Sequence, residues 1–576
     1  MPSTAWPMRS PSGTRGCSSM LDLSIVIAGA AGEGVQTIGD VISRTLLALG
    51  YPVFTTQEYE SRIRGGTTSY RVRVSETVRN APRHDADLLL ALNAHAQEHY
   101  APLLSEKGLL LAEKGDGARV IAVPFSKIAT ERFGQKIYAN TVAAGSLLAA
   151  LGGDFDALGQ VLRATFAGKG EKIARTNVEA ARAGHDAAGK NSRFGPLAML
   201  SKRNQSFTLI SANETIPLAA AFAGCRFIAA YPMSPSTGII TALSRDKELG
   251  VFAEQAEDEI AAINMALGAS FAGARAMTAT SGGGFALMVE AVSLAGMAET
   301  PIVIVLAQRP GPATGLPTRT AQEDLLFAIR AGHGEFPKLV LAPSDPQDAF
   351  EKIVRAFNLA DRYQIPVIIL TDQYLADSRF SFEHFEIDAI GPETHLADPQ
   401  AITEYNRYRL TENGISPRLY PGQSNHLVCL DSDEHTEAGH ITEDLAHTRP
   451  VMVEKRLAKL RGLREDIALP EALRVDEAEA VLVGWGSTRG AIVEAVEDLR
   501  KEGKHVGMLH FTEVWPLPDY TFPAGKRYIA VEGNATGQFA RLLRAEYGLN
   551  IEEWVNRYDG LPISAKDIRR GLDGRT

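Results

Sequence analysis

The sequence PIVIVLAQRPGPATGLPT, residues 301–318, joins a continuous apolar run to a loop rich in glycine and proline. A short apolar run bounded by such a loop is typical of a strand buried in a parallel sheet. Arg309 lies directly after this run, at the carboxyl end of the predicted strand, where open α/β sheets bind their ligands. The stretch therefore predicts an α/β fold with a cation at its ligand-binding edge.

Apolar runs alternate with helical segments along most of the chain, which predicts several doubly wound α/β domains. Residues 1–20 are rich in Pro, Ser and Gly, so we predict a disordered tail there. The further units that we predict are an α/β domain over 21–191, a linker over 192–206, an α/β domain over 207–385, an irregular connection over 386–470 with a helix near 449–466, and an α/β domain over 471–576 whose regular part ends near Asn550.

Composition restricts the classes of partner. The 576 residues carry a net charge of −10, which favours neither nucleic acid nor an anionic membrane, and no apolar run is long enough to span a bilayer. Cys17, Cys225 and Cys429 are far apart, which argues against a disulfide framework and favours a reduced, cytoplasmic setting. Three cysteines are also too few to hold an iron–sulfur cluster, which usually takes four.

Three further predicted strands end in residues suited to binding, namely YPMSPST, EQAEDE and SGGGF. In the acidic group, Asp258 is placed to cap the following helix, and acids in a first turn suit its dipole. Glu259 is different, because the helix that it begins is apolar nearly all round and is therefore predicted to be buried. A buried carboxyl needs a partner, which makes Glu259 a candidate site residue.

Arg309 offers a planar fork that grips a carboxylate or phosphate through two parallel hydrogen bonds. The alternative is an arginine that forms a salt bridge across the domain or extends to water. The triglycine turn at 282–284 lets backbone approach a ligand closely but is a weak signal alone. Because Arg309 shares its sheet edge with three other candidate strand ends, we favour ligand binding.

Five ordered motifs, YPMSPS (231–236), EQAEDEIAAINMALGAS (254–270), TATSGGGFALM (278–288), QRPGPATGLPTRTAQEDL (308–325) and VEGNATGQFARLLR (531–544), resemble the α subunit of the 2-oxoacid:ferredoxin oxidoreductases, most closely those acting on 2-oxoglutarate. In two-subunit members a γ domain is fused ahead of the α region. The first block resembles that domain through GAAGEGVQTIGD (29–40) and RIRGGTTSYRVRVS (62–75). The resemblance implies, in order, a γ domain, a thiamine-diphosphate pyrimidine-binding domain and a transketolase C-terminal-like domain.

The resemblance also implies the reaction and the partners. The family decarboxylates 2-oxoacids with thiamine diphosphate, forms acyl-CoA and passes electrons to ferredoxin, and the reaction reverses as CO2 fixation. A β subunit is expected to hold Mg2+ and a [4Fe–4S] cluster, with this chain contributing no metal ligand. We therefore expect a cytoplasmic (αβ)2 enzyme that is inactive without β, has 2-oxoglutarate and CoA as substrates, and involves neither nucleic acid nor membrane. Pyruvate and branched-chain oxoacids stay open as substrates.

The family's site residues are carried over by matching motifs. Glu259 matches the glutamate that contacts the aminopyrimidine ring and favours its imino form, and Glu257 is the alternative if the alignment shifts. Arg309 matches the arginine that binds the 1-carboxylate of the substrate, and Thr318 and Ser234 supply hydroxyls nearby, with Ser234 replacing a common threonine. The cofactor-binding residues implied by the motifs are Tyr231, Pro232, Glu257, Ser281, Gly282 and Gly283.

A basic turn of the γ domain is the implied place for CoA, whose phosphates need cations; its residues are Arg62, Arg64, Gly65 and Gly66. A solvated loop is the alternative for each of them. The second carboxylate of 2-oxoglutarate needs another cation, for which Arg319, Lys338 or the partner chain are candidates.

Three patterns suggest other functions. GAAGEG follows a strand but has Thr37 where a dinucleotide-binding motif has its third glycine, which makes a nicotinamide site a poor alternative. GDG at 115–117 mimics a thiamine-diphosphate metal motif, yet a strand follows it, so we predict a hairpin-type or connecting turn. His435 and His440 lie among acids with no strong metal spacing, which favours a surface or interface loop. An NAD-binding oxidoreductase and a catalytically silent scaffold remain the alternative classes.

Overall fold

The computed structural model describes residues 21–60, 66–191, 195–387 and 389–574. The predicted N-terminal tail lies outside these residues, as do Arg62, Arg64 and Gly65. Three α/β units follow one another along the chain, each built on a predominantly parallel sheet, so the predicted fold class is confirmed. The division into domains at the predicted residue numbers remains a prediction.

The first unit contains a six-stranded sheet in the order β2-β3-β1-β4-β5-β6. β3 runs antiparallel to both of its neighbours, so the sheet is not parallel throughout. Its elements are β1 (Asp22–Ala30), α1 (Val35–Ala48), β2 (Val53–Glu58), β3 (Thr67–Ser75), β4 (Ala86–Ala91), α2 (Ala94–Tyr100), β5 (Leu104–Ala112), β6 (Val120–Ala122), α3 (Phe125–Phe133), α4 (Ala139–Leu151), α5 (Phe155–Phe166) and α6 (Glu171–Asn191).

The second unit contains most of a seven-stranded sheet, and its buried apolar strands include the run that follows Pro301. Its elements are β7 (Thr208–Ile210), α7 (Ala212–Phe222), β8 (Cys225–Ala230), α8 (Thr237–Arg245), β9 (Phe252–Gln255), α9 (Glu259–Phe271), β10 (Arg275–Thr280), α10 (Gly282–Met297), β11 (Ile302–Gln308), α11 (Leu325–Arg330), β12 (Leu339–Leu341), α12 (Pro346–Tyr363), β13 (Pro366–Asp372), α13 (Gln373–Asp377) and β14 (Phe380–Phe382).

The connection after β14 is irregular until α14 (Thr448–Asp466), the helix that the sequence predicts there. The third unit holds a five-stranded sheet in the order β15-β17-β16-β19-β20. Its elements are β15 (Glu471–Leu473), β16 (Ala480–Trp485), α15 (Arg489–Lys501), β17 (Val506–Phe511), β18 (Glu513–Trp515), β19 (Arg527–Glu532), α16 (Gln538–Tyr547), β20 (Glu553–Asn556) and α17 (Ala565–Asp573).

The third unit differs from its prediction in two respects. Regular structure continues past Asn550 through β20 and α17, so the predicted limit is wrong. The strand β18 leaves this unit and pairs antiparallel with β12, completing the seven-stranded sheet of the second unit. The two units also share one apolar core, in which Phe285 and Ile304 lie in the same cluster as Trp485 and Phe539. The second and third units therefore pack as one continuous body.

The first unit is fixed to both others by buried contacts. Arg73, at 4% side-chain exposure, binds Asp22 of its own unit at 2.6 Å and Glu494 of the third unit at 2.8 Å. On the other side, the Ser381 hydroxyl of β14 donates to the Val53 carbonyl and accepts from the Val53 amide. These contacts set the position of the first sheet relative to the second, which matters for the site described below.

A buried ionic cluster fastens the irregular connection to the second unit. Glu299 accepts hydrogen bonds from Lys455 at 2.6 Å and Lys459 at 2.5 Å, and all three side chains are about 1% exposed. Arg407 donates to the Glu299 carbonyl oxygen at 2.6 Å. Burial is the largest influence on Lys459 and lowers its pKa to about 7, whereas the two lysines hold the pKa of Glu299 below its usual range.

We expect Glu299→Gln to lower the free energy of unfolding by about 3 kcal/mol, because it leaves two buried ammonium groups without a counter-charge. Thermal unfolding followed by calorimetry measures this loss as a lower midpoint. The exposed Glu443→Gln serves as the control and should leave the midpoint unchanged. Equal midpoints for the two variants would show that the cluster contributes nothing to stability.

Candidate functional site

The N-terminus of α10 is the centre of the candidate site. β10 ends at Thr280, Ser281 is the N-cap residue, and the triglycine turn opens the helix. A Cβ atom on Gly284 would lie 2.5 Å from Oε1 of Glu259 and even closer to the Thr280 hydroxyl. The third glycine, which the sequence analysis did not single out, is therefore the one whose missing side chain makes room for Glu259.

Glu259 is the first residue of α9 and is only 4% exposed. Its Oε1 atom is buried and has no hydrogen-bond partner among the described residues. Asp258 accepts from the Ala261 amide at 2.8 Å, which confirms that it caps α9. An unpaired buried carboxylate oxygen is costly, so Oε1 of Glu259 calls for a hydrogen-bond donor that none of the described residues supplies.

The helix that follows Glu259 is not buried on all sides, contrary to the prediction. Ile260 is 51% exposed and Met265 is 39% exposed on α9, and Leu287 of the neighbouring α10 is 51% exposed. The prediction rested on the apolar composition of the helix. Composition does not distinguish a buried helix from one whose apolar face is covered by another chain. The exposed faces of α9 and α10 border the candidate site directly.

Replacing Gly284 by alanine tests how tightly the turn is packed. The added methyl group must displace Glu259 or Thr280, so we expect Gly284→Ala to lower stability by about 1–3 kcal/mol. Gly283→Ala is a matched control in the same turn, because the nearest atom to its added Cβ is the Ala313 carbonyl oxygen at 3.8 Å. Thermal midpoints of the two variants measure the difference, and a Gly284→Ala protein as stable as Gly283→Ala would contradict the packing described.

Arg309 lies beside the loop that follows β8. Its Nη1 atom donates to the Ser234 carbonyl oxygen at 2.7 Å, and no carboxylate pairs with its guanidinium among the described residues. Burial lowers its pKa from the usual range, without removing its charge at neutral pH. The salt-bridge alternative is therefore not what the structure has, and the remaining N–H groups of the fork are available to a ligand.

The loop after Arg309 is rigid for local reasons. Gly315 has φ +51°, and a Cβ atom there would collide with the Pro310 carbonyl oxygen, which accepts the Leu316 amide at 3.0 Å. The Glu323 carboxylate accepts the Gly311 amide at 2.9 Å. The Gly/Pro composition thus gives a fixed support for Arg309.

The first unit touches this loop at its far end. The Thr318 hydroxyl donates to the Tyr59 carbonyl oxygen at 2.6 Å, and Arg319 binds Glu58 at 3.0 Å. Arg319 is thus engaged and does not offer a free cation. Lys338 is buried, donates to the Ala331 carbonyl, and has its pKa lowered to about 8 by burial. Neither Arg319 nor Lys338 is therefore free to bind the second carboxylate of 2-oxoglutarate.

Asp324, which the sequence analysis did not name, lies at the same triglycine turn. A Cβ atom on Gly282 would lie 2.5 Å from its Oδ2 atom, so its carboxyl lies at the start of α10. Burial, with a smaller contribution from Glu323, raises its pKa to about 6. The Gln308 side chain accepts the Asp324 amide at 2.9 Å and fixes it to the end of β11. The signal available in the sequence was a carboxyl shortly after the Gly/Pro loop.

The remaining predicted residues are spread over several loops: Ser281, Gly282 and Gly283 belong to the α10 turn, Tyr231 and Pro232 follow β8, and Glu257 precedes α9. Ser281 is buried and its hydroxyl has no partner among the described residues. Tyr231 is 40% exposed, Pro232 is half-buried, Glu257 is exposed, Gly282 is half-buried and Gly283 is exposed. The contrast between exposed Glu257 and buried Glu259 favours Glu259. Gly66 has φ +76° and packs against Glu60, whereas Arg62, Arg64 and Gly65 are not among the described residues.

The structure also shows what becomes of the GDG turn and of the two histidines. GDG connects the parallel strands β5 and β6, so of the two predicted turn types it is a connecting turn. His435 is buried, with its ring 3.8 Å from that of Tyr408, so placing it on the surface is wrong; His440 is exposed. Within residues 21–60, 66–191, 195–387 and 389–574, no three His, Cys, Asp or Glu side chains form a metal-binding group. Over the same ranges, no helix has the length and apolar character needed to cross a membrane.

Comparison with known proteins connects this geometry to a family. Residues 218–455 match the family model of the thiamine-diphosphate-binding region of pyruvate flavodoxin/ferredoxin oxidoreductases, and residues 24–187 match that of pyruvate ferredoxin/flavodoxin oxidoreductases. The α subunit of 2-oxoacid:ferredoxin oxidoreductase 2 from Aeropyrum pernix is 34% identical over 95% of this chain and 97% of its own. The chain belongs to the 2-oxoacid:ferredoxin oxidoreductase family.

Two relatives whose names give their substrate support membership of the same family. The 2-oxoglutarate oxidoreductase subunit KorA of Mycobacterium tuberculosis is 30% identical over 95% of this chain and 90% of its own. The solved 2-oxoglutarate:ferredoxin oxidoreductase from Magnetococcus marinus, with 2-oxoglutarate, coenzyme A and succinyl-CoA bound, superposes with a TM-score of 0.90 at 32% identity. The superposition covers 96% of this chain and 99% of the Magnetococcus marinus chain. The chain is an α subunit of a thiamine-dependent 2-oxoacid:ferredoxin oxidoreductase, and the family prediction is confirmed.

Proposed function

We propose that this chain is the α half of a CoA-dependent 2-oxoglutarate:ferredoxin oxidoreductase, which forms succinyl-CoA and CO2 and reduces ferredoxin. The reaction is also expected to run in reverse, as CO2 fixation, in the cytoplasm. The observation that supports the proposal most is the pairing of two features at one sheet edge. Within the part of the chain that the structure describes, Glu259 has a buried carboxylate oxygen without a partner, and no carboxylate pairs with the guanidinium fork of Arg309.

The residues at the start of α10 fit the aminopyrimidine half of thiamine diphosphate. Oε1 of Glu259 and the Ser281 hydroxyl are both buried without partners among the described residues, and Gly284 has no side chain to fill the space 2.5 Å from Oε1. A ring bearing N–H groups satisfies both oxygens, whereas an apolar ligand satisfies neither. Tyr231, Pro232, Gly282 and Gly283 are proposed to line the same cofactor position, whereas the exposed Glu257 is kept only as the alternative to Glu259.

The chain's own residues would then act as follows. When bound, thiamine diphosphate supplies the electron sink for decarboxylation of the 2-oxoacid. Glu259 holds or shares a proton at Oε1 with the ring, which is acid–base work by a carboxyl shielded from water. Arg309 binds the 1-carboxylate and orients the oxoacid. Ser234 and Thr318 supply hydroxyl oxygens near the same group.

A partner chain is proposed to complete the site. The apolar surfaces of Ile260, Met265 and Leu287 are exposed beside Glu259, as expected of a region that another subunit covers. We assign Mg2+ and the [4Fe–4S] cluster to that β subunit, because the three cysteines of this chain are fewer than the four that a cluster takes. The assembly is proposed to be (αβ)2.

The choice of 2-oxoglutarate is tested with a panel of 2-oxoacids. The chain is co-purified with its β subunit, and kcat/KM is measured with ferredoxin and CoA for 2-oxoglutarate, pyruvate, 2-oxoisovalerate and phenylpyruvate. We expect 2-oxoglutarate to exceed the others at least about tenfold, the effect of one well-placed charge. A preference for pyruvate would overturn the substrate assignment.

One observation favours pyruvate and the branched-chain oxoacids over 2-oxoglutarate, which is why the panel includes them. Arg319 and Lys338 are engaged with Glu58 and with the Ala331 carbonyl, so of the three candidates for binding the second carboxylate the β subunit is the one left. Pyruvate and branched-chain oxoacids need no such cation. Titration with NADH, for which we expect no binding, distinguishes both substrate classes from the NAD-dependent alternative.

A further inference from the structure

The motif VEGNATGQFARLLR, residues 531–544, belongs to the third unit and supplies none of the residues assigned to the candidate site. It begins in β19 and passes through a loop into α16, which starts at Gln538. The loop and the start of α16 contact residues 322–326, which join the loop after Arg309 to α11. The motif therefore connects the third unit to a segment beside the candidate site.

Gln538 holds the backbone of this segment with both ends of its side-chain amide. Its Nε2 atom donates to the Glu323 carbonyl oxygen at 2.5 Å, and its Oε1 atom accepts from the Leu326 amide at 3.0 Å. Residues 321–324 lie outside helix and strand, so their backbone groups need partners from elsewhere. A primary amide offers a donor and an acceptor side by side, which suits a carbonyl and an N–H group together.

The position of Gln538 is itself fixed by buried polar groups. Asn534 is 1% exposed and accepts from the backbone amides of Gly537 at 2.8 Å and Gln538 at 3.3 Å. Glu532 is fully buried and accepts from the Asn534 side chain at 2.8 Å and from the Phe539 amide at 2.9 Å. The start of α16 is thus held in one conformation, and Gln538 extends from a fixed backbone.

The segment held by Gln538 reaches the Arg309 loop through one carboxylate. Glu323, whose carbonyl oxygen Gln538 binds, accepts the Gly311 amide with its side chain at 2.9 Å. Gly311 lies two residues after Arg309, in the loop that supports the guanidinium fork. A shift of the Glu323 backbone therefore moves an anchor of the loop that carries Arg309.

Other contacts already hold the second and third units together. The two units share an apolar core, and β18 pairs with β12. Gln322, which is 3% exposed, exchanges hydrogen bonds with the Gly533 backbone at 2.7 and 2.9 Å. The bonds of Gln538 lie further along the segment, on either side of Asp324, whose carboxyl lies at the α10 turn. They are therefore better placed to orient this segment than to join the units.

We propose that Gln538 is a positioning residue, which fixes residues 323–326 from the third unit and, through Glu323 and Gly311, fixes the loop that carries Arg309. The inference rests on the proposed function, in which Arg309 binds the 1-carboxylate of the oxoacid. The third unit then contributes to oxoacid binding without touching the oxoacid. A purely structural Gln538 would affect stability alone, so the kinetics with the oxoacid distinguish the two roles.

Gln538→Met tests the proposal in the purified αβ enzyme, because methionine has a similar size but pairs with neither backbone group. We expect kcat/KM for the best 2-oxoacid of the panel to fall about tenfold, since a small displacement of a substrate-binding group carries a loss of this order. Saturation with CoA should be unchanged. Gln538→Glu keeps the length and the acceptor but loses the donor, so it should also lower kcat/KM and serves if the methionine variant does not fold.

Gln347→Met is the matched control. Gln347 is half-buried on α12 and likewise uses both ends of its amide, since it donates to the Glu386 carbonyl oxygen at 2.7 Å and accepts from the Glu386 amide at 2.9 Å. Its kcat/KM should equal that of the wild type. A loss as large as that of Gln538→Met would show a general effect of destabilisation and would contradict positioning.

Hydrogen–deuterium exchange provides a readout that is independent of turnover. Peptides covering residues 309–318 should exchange faster in Gln538→Met than in the wild type, because the loop opens locally once its anchor is loosened. The same peptides should be unchanged in Gln347→Met. Unaltered exchange of this loop in Gln538→Met overturns the proposal.

Combination with Arg309→Lys shows whether Gln538 acts through Arg309. Arg309→Lys alone is expected to cost about a hundredfold in kcat/KM, and the double variant Gln538→Met/Arg309→Lys should lose about the same, because residues that act as one unit are not additive. Losses that multiply overturn the proposal. If Arg309→Lys itself has no effect, the proposed function fails, and the exchange measurement still decides whether Gln538 fixes the loop.

Discussion

Turnover of the reconstituted αβ enzyme is expected to fall about a thousandfold when Glu259 is replaced by glutamine, because the amide cannot hold and release a proton at Oε1. Glutamine has nearly the same shape, so the packing against Gly284 survives and the protein should remain folded. The measurement is 2-oxoacid-dependent reduction of ferredoxin at saturating CoA and thiamine diphosphate.

Glu257→Gln is the matched control for this experiment. Glu257 lies two residues earlier and is exposed, whereas Glu259 is buried at the α10 turn. We expect the control to keep activity within about threefold of the wild type, in line with the loss of an exposed charge. If turnover instead falls a thousandfold in Glu257→Gln while Glu259→Gln stays active, the acid–base role belongs to Glu257.

The second large effect is expected at Arg309. Arg309→Lys keeps the charge but removes the planar fork, so kcat/KM for the 2-oxoacid should fall about a hundredfold, the value of one strong charge-assisted hydrogen bond with the carboxylate. Saturation with CoA should be unaffected, since Arg309 is assigned to the oxoacid. Steady-state kinetics of the αβ enzyme measures both quantities.

Arg330→Lys is the control for this substitution, because Arg330 is an exposed arginine at the end of α11 in the same unit. Its kcat/KM is expected to match that of the wild type. A more severe change, Arg309→Ala, distinguishes an enzyme from a silent scaffold. If turnover by the pair survives Arg309→Ala unchanged, Arg309 does not bind substrate and the scaffold alternative gains support.

Much of the fold followed from local sequence patterns. The strands of the second unit are short apolar runs followed by polar loops, and each such run, from β8 to β13, is a strand of the structure. The irregular connection with one helix before the third unit is confirmed by α14. These features depend on nearby residues, which is why a single sequence was enough to predict them.

Features that depend on distant contacts escaped prediction. β18 has three residues, and only its pairing with β12 makes it a strand. β20 is likewise a short edge strand that depends on β19. The exposed face of α9 could not be distinguished from a buried helix by composition, because partner-facing and core-facing helices share the same apolar residues.

The site was predicted in part for the same reason. Arg309 and Glu259 stand at strand and helix ends, and sequence position alone places such ends on one edge of the sheet. The roles of Arg319 and Lys338 depend on Glu58 and on the Ala331 carbonyl, which are not visible from local spacing. Asp324 and Gly284 acquire their significance only when the loop after β11 folds against the triglycine turn.

The central claim is that this chain carries one half of a shared site, and cofactor binding tests it most directly. Thiamine diphosphate with Mg2+ is titrated calorimetrically into the chain alone, into the β subunit alone and into the αβ enzyme. The account predicts tight binding only for the αβ enzyme, with Glu259→Gln weakening it and Glu257→Gln leaving it unchanged. Binding by the isolated chain as tight as by the αβ enzyme would contradict a shared site.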